Sequence, residues 1–95
     1  MSAYIIVQLE VTDPETYKTY AEQVPPILEK YGGEFVVRGG PMEVLEGDWP
    51  FPRAVVIKFP SMEQAKAWHA SAEYEGPMAL RQSASKGNMI VVEGA

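Results

Sequence analysis

The chain has no cysteine and a single histidine. Lack of cysteine excludes disulfides, thiolate catalysis and cysteine metal sites, and favours a reducing compartment, so a cytoplasmic location is expected. One histidine cannot make the usual zinc or non-haem iron set, and the carboxylates lack the dense spacing of a calcium loop. No metal and no cofactor is expected; a haem would hang on His69 alone. Basic residues are also scarce, eight Lys and Arg against thirteen Asp and Glu for a net charge of −5, and they are scattered. Nucleic acid is therefore not an expected partner, because phosphate binding needs a basic stripe. Long apolar runs are missing too. The opening MSAYIIVQLE has no basic leader and is broken by Gln8 and Glu10, which predicts neither a signal peptide nor a membrane span.

What remains is a chain of 95 residues, 46% hydrophobic and 22% charged, the composition of one globular domain over residues 1–95. A chain of this size buries roughly 60–65% of its unfolded surface, so its core is thin and a second subunit would support it.

Strand periodicity opens the chain. Ile5, Val7, Leu9 and Val11 alternate with Tyr4, Ile6, Gln8 and Glu10. TDPE then starts a helix, either through Asp13 as cap with Pro14 following or through a Thr12/Glu15 capping box. Tyr17, Tyr20, Ala21, Val24, Ile27, Leu28 and Tyr31 form its apolar stripe, Pro25 and Pro26 predict a kink near Val24, and Gly32 supplies a left-handed cap. A second strand begins at Glu34, with Phe35 and Val37 on one face and Val36 and Arg38 on the other. Gly39, Gly40 and Pro41 interrupt it before extended structure resumes at Met42, Val44 and Leu45.

After the turn-rich EGDWPFP, Arg53 to Phe59 reads as a third strand, with Val55, Val56 and Ile57 apolar on both faces. Ser61 and Gln64 make a capping box for a helix carrying Ala65, Trp68 and Ala72. Ser71 caps a further short segment with Tyr74, Met78 and Arg81, and Met89 to Glu93 is the last strand. The order β-α-β-β-α-β predicts an α+β, ferredoxin-like fold: a four-stranded antiparallel sheet with helices on one side. Strands apolar on both faces predict that the uncovered side packs on a second copy, giving a homodimer.

The runs TDPETY, YGGEFVVRGG, EGDW before Arg53, and SAEY before Arg81 resemble the domain-of-unknown-function 1330 family over nearly the whole chain. That family is similar to the dimeric α/β barrel superfamily, in which two ferredoxin-like sheets pack face to face and small ligands lie between sheet and helices. The resemblance implies fold and dimer; the superfamily spans monooxygenases, decarboxylases, dehydratases and sensing domains, so it implies no one reaction. Ala72 departs from it, standing where the family commonly has proline.

Candidate site residues follow from chemistry. Arg38 offers a fork for a carboxylate, and Gly39 and Gly40 would bend the strand and let a ligand approach; the competing reading pairs Arg38 with an acid. Gln8 is a candidate neighbour if the faces of the first two strands coincide. Arg81 follows Tyr74 by two helical turns, so both would border one cavity, or rest on the body of the protein. His69 and Tyr74 are the candidate proton donors, although His69 adjoins the better core residue Trp68 and has no recognisable acid partner. Trp49 is a loop anchor or a ligand lid. These residues point to a small organic acid or aromatic metabolite as ligand, or else to a non-catalytic sensing or assembly module.

Overall fold

The computed structural model describes all 95 residues. The elements are β1 (Ala3–Val11), α1 (Pro14–Lys30), β2 (Glu34–Arg38), β3 (Arg53–Phe59), α2 (Met62–His69), α3 (Ala72–Ala84) and β4 (Ser85–Glu93). The four strands form one sheet in the order β2-β3-β1-β4, every neighbouring pair antiparallel. This is the ferredoxin-like α+β arrangement, with the second helical region divided into two helices.

Period-two alternation fixes which side is dry. Ala3, Ile5, Val7 and Leu9 of β1 and Val55, Ile57 and Phe59 of β3 are buried beneath the helices. They meet Tyr20, Val24 and Leu28 of α1, Ala65 and Trp68 of α2, and Tyr74 of α3 in one core cluster. On the opposite side Val36, Val37, Ile90 and Val92 are exposed, Ile90 by 56%.

The helix ends behave as their sequences dictate. Asp13 caps α1, accepting from the Thr16 backbone amide, with Pro14 as the first helical residue. At the other end Gly32 has φ +78, its amide donates to the Glu29 carbonyl and that of Gly33 to Leu28, a complete Schellman ending. Ser61 accepts from the Gln64 amide to cap α2, while the Gln64 side chain reaches across to the Tyr31 carbonyl. Ser71 separates α2 from α3 by capping Tyr74, and α3 then runs through Gly76 and Pro77 to Ala84.

Helix α1 continues through Pro25 and Pro26 to Lys30, and its Tyr20, Val24 and Leu28 join the core cluster with the sheet. Three expectations are corrected. Residues 39–52 contain no strand, so Met42, Val44 and Leu45 do not resume extended pairing. β4 begins at Ser85, four residues earlier than the apolar run alone suggests, because β1 offers pairing partners as far as Val11.

The third correction concerns register. Phe35 lies opposite Ile57, but Val37 lies opposite Val56 and Arg38 opposite Val55, so Val36 is an extra, bulged residue. A bulge reverses the side-chain parity beyond it. Arg38 therefore shares the helix side with Phe35 instead of lying opposite it, and its guanidinium sits 4.3 Å from the centroid of the Phe35 ring.

Candidate functional site

A cavity of about 30 Å³ lies between the sheet and the helices. Val7 and Leu9 of β1 and Val55 and Ile57 of β3 form its floor, and Tyr17, Tyr20 and Val24 of α1 cover it. Three arginines enter it from different elements: Arg38 at the end of β2, Arg53 at the start of β3 and Arg81 in the last turn of α3. Arg38 is the one exposed residue of the wall and marks the side open to solvent.

Each guanidinium is held by local chemistry. Arg38 donates to the Ala21 carbonyl at 3.2 Å. In an uninterrupted helix that carbonyl would accept from the amide four residues on, but residue 25 is proline and has none. The proline thus leaves a backbone acceptor for an arginine on a neighbouring strand. Arg53 lies 5.4 Å from the centroid of the Tyr17 ring. Gly39, at φ +70, donates to the Ala54 carbonyl and lies against the Arg53 guanidinium so closely that any Cβ at position 39 would overlap it.

None of the three arginines has a carboxylate partner. The two salt bridges of the chain, Lys30–Glu73 and Lys86–Glu10, lie elsewhere. The Nε–H groups of Arg53 and Arg81 are buried without an acceptor, and so is the indole N–H of Trp68 in the same wall. Behind the cavity the Tyr20 and Tyr74 hydroxyls are hydrogen-bonded at 2.8 Å. Burial pushes the Tyr20 phenol well above its ordinary range, the adjacent Tyr74 adds to this, and Arg81 pulls weakly the other way. Tyr20 is therefore a neutral hydroxyl at ordinary pH, and the site presents donors in excess of acceptors.

Of the residues singled out in the sequence, Arg38 and Arg81 line the cavity, and Tyr74 stands behind it, fully buried, through its bond to Tyr20. Gly39 is beside Arg53, whereas Gly40 has open space around its α-carbon. Gln8 lies on the other side of the sheet, between Ala54 and Asn88 in register, because the pleat sends it away from Val7 and Leu9. The coincidence of faces between Gln8 and Arg38 thus fails, and the Val36 bulge is the reason. Trp49 is exposed in the 39–52 segment beside Met42, Val44 and Leu45, outside the cavity. His69 is exposed at the end of α2, its ring 6.3 Å from that of Trp68, in a separate shallow cleft with Lys66.

Sequence reasoning passed over Arg53, Tyr17 and Tyr20 as site residues. Arg53 had a signal: it shares its parity with Val55, Ile57 and Phe59, and a charge on the dry face of a strand calls for a partner.

Comparison with known proteins places this geometry in context. No curated protein matches the chain. Among solved structures, RPA0582 from Rhodopseudomonas palustris, a protein of unknown function, aligns with a TM-score of 0.81 at 18% identity, covering 99% of this chain and 82% of that one. A dimeric ferredoxin-like protein of unknown function from Jannaschia sp. CCS1 aligns at 0.78 with 14% identity, covering 99% and 100%. SnoaB from Streptomyces nogalater, a cofactor-independent oxygenase, aligns at 0.67 with 10% identity, covering 99% and 93%. Likeness at such identities speaks for the fold alone. The model of a domain of unknown function, DUF1330, matches residues 2–95, and the chain belongs to that family.

Proposed function

We propose that the protein binds a small organic carboxylate in the cavity between sheet and helices, and that it does so as a homodimer. The observation that carries the reading is the convergence of Arg38, Arg53 and Arg81 on one apolar cavity with no acid of the chain to pair them. At Arg53 and Arg81, both half-buried, a buried Nε–H without an acceptor is costly, and an incoming carboxylate accepting from a guanidinium fork removes that cost. The cavity of about 30 Å³ admits no more than the carboxylate group itself, and a longer skeleton leaves past Phe35 on the side where Arg38 is exposed. Gly39 leaves room for the Arg53 guanidinium, and the Tyr20 and Tyr74 hydroxyls stay bonded to each other.

Dimerisation is supported by the apolar residues on the outer face of the sheet, Val36, Val37, Ile90 and Val92, and by the Jannaschia and Bacteroides fragilis neighbours, both described as dimeric. A partner on that face is separated from the arginines by the sheet itself, so it would not supply their counter-ions. The reading is one of binding; His69, outside the cavity, has no part in it.

The test is thermal unfolding in the presence of benzoate, phenylacetate and pentanoate, each beside its primary amide. The acids raise the midpoint, the amides do not, and Arg53→Met abolishes the difference. Equal shifts from acids and amides, or none from either, would contradict the reading.

A further inference from the structure

We infer that residues 40–52 form an arm that packs on a second copy of the chain. This rests on the homodimer reading above and adds to it a surface that the sheet alone does not provide. Between β2 and β3 the chain runs from Gly40 to Pro52 without helix or strand. No backbone hydrogen bond and no salt bridge of the chain involves this stretch. Its Met42, Val44, Leu45 and Trp49 are nevertheless apolar and exposed, Leu45 by 88%. Connections of this length without secondary structure are uncommon in compact domains and usually serve a function. Clustered exposed apolar side chains mark a surface that meets another molecule.

The position of the arm identifies the occupant. Met42, Val44, Leu45 and Trp49 border a groove that Ala54 closes on the side of the protein body. Ala54 alternates with Val55, which is buried beneath the helices, so it lies on the outer face of the sheet with Val56, paired in register with Gln8. The groove thus continues the apolar surface of Val36, Val37, Ile90 and Val92, and it shares no residue with the arginine cavity on the other side of the sheet. That separation favours Trp49 as an anchor over Trp49 as a lid. Gln8 adds a polar signal on the same face, because its side-chain oxygen is buried with no donor in the chain. A second copy brings donors to it.

The dimensions fit a partner on that face. Two sheets packed face to face stand about 10 Å apart. An arm of this length that turns back on itself reaches roughly 20 Å, at ~3.3 Å per extended residue over half its length. Gly47, at φ +72, supplies the turn, and Leu45 stands two residues before it, near the tip. Under twofold symmetry each copy lends its arm to the other, so the contact is made twice.

Trp49 reports on the arm directly, because the only other tryptophan, Trp68, is fully buried. Iodide quenching of the full chain is measured above and below the dimer midpoint given by sedimentation, with Trp49→Phe to identify the Trp49 share of the emission. Trp49 is expected to be quenched severalfold less in the dimer than in the monomer. Leu45→Asp, at a position exposed enough to leave the fold unchanged by circular dichroism, should weaken the dimer about tenfold or more. Leu45→Met, which keeps the apolar surface, should not. Equal quenching of Trp49 in monomer and dimer, or a Leu45→Asp dimer as tight as the parent, would overturn the arm and leave the homodimer reading standing. A parent that stays monomeric at micromolar concentration would overturn both. Protection of Trp49 by benzoate and not by pairing would make the arm a ligand lid and overturn the inference.

Discussion

Pro25 leaves the Ala21 carbonyl without a helical donor, and Arg38 takes that carbonyl at 3.2 Å from the next layer of the fold. A residue that is unfavourable for its own helix thus fixes a cation at the mouth of the cavity. Replacing it should separate the two effects. Pro25→Ala relieves ~3 kcal/mol of helix-interior penalty, offset by about 0.4–1 kcal/mol from a looser unfolded chain, so urea denaturation should show a stabilisation of about 2 kcal/mol. The restored amide competes for Ala21, Arg38 loses its hold, and carboxylate affinity falls. Unchanged affinity in the more stable variant would show that the contact does not organise the site.

Gly39 and Gly40 are adjacent in sequence and unequal in structure. Position 39 is left-handed and faces the Arg53 guanidinium, whereas nothing lies near position 40. Gly39→Ala is expected to cost about 1–2 kcal/mol from backbone conformation alone, more where Arg53 must shift, and to weaken carboxylate binding. Gly40→Ala should change neither by much. Equilibrium denaturation of both variants reads the contrast, and equal effects would deny Gly39 its role.

These two positions show how far the sequence reads. Element order, helix caps and the dry face of β1 and β3 were legible, because alternation, Asp13, Ser61 and Ser71 act locally. The bulge at Val36 was not. Val36 and Val37 are both β-branched and apolar, so neither marks itself as the extra residue, and one unseen insertion sent Arg38 to the wrong side of the sheet. The partnership of Pro25 and Arg38 was also invisible, because it joins two elements whose register depends on that bulge. Arg53 was within reach, since strict alternation from Phe59 puts it among core residues.

The Tyr20–Tyr74 pair gives a pH signature. The folded state holds the Tyr20 proton more tightly than the unfolded chain does, whose phenol titrates at about 10. Above that pH the unfolded state releases a proton that the native state keeps, so stability declines as pH rises. Tyr20→Phe should remove most of this alkaline decline. Tyr74→Phe strands the Tyr20 hydroxyl and should cost about 1–3 kcal/mol at neutral pH, with the double variant less destabilised than the sum of the singles. Additive losses and an unaltered alkaline slope would argue against the pair.

The exposed apolar row on the outer face predicts assembly. Light scattering at micromolar concentration should give a dimer, and Ile90→Lys or Val37→Lys should give a folded monomer by introducing charge into the contact. A parent protein that is monomeric under these conditions would contradict the expected interface.

The central claim is that unpaired arginines form an anion site, and their own Nε–H signals test it most directly. Proton–nitrogen correlation spectra of the arginine side chains, assigned with Arg→Lys variants, should be followed during titration with benzoate and with benzamide. The Arg53 and Arg81 Nε–H resonances are expected to move together, downfield and to saturation at one ligand per chain, with the acid and not with the amide. Resonances that stay fixed while ligand is added, or that move linearly without saturating in the manner of a general salt effect, would contradict it.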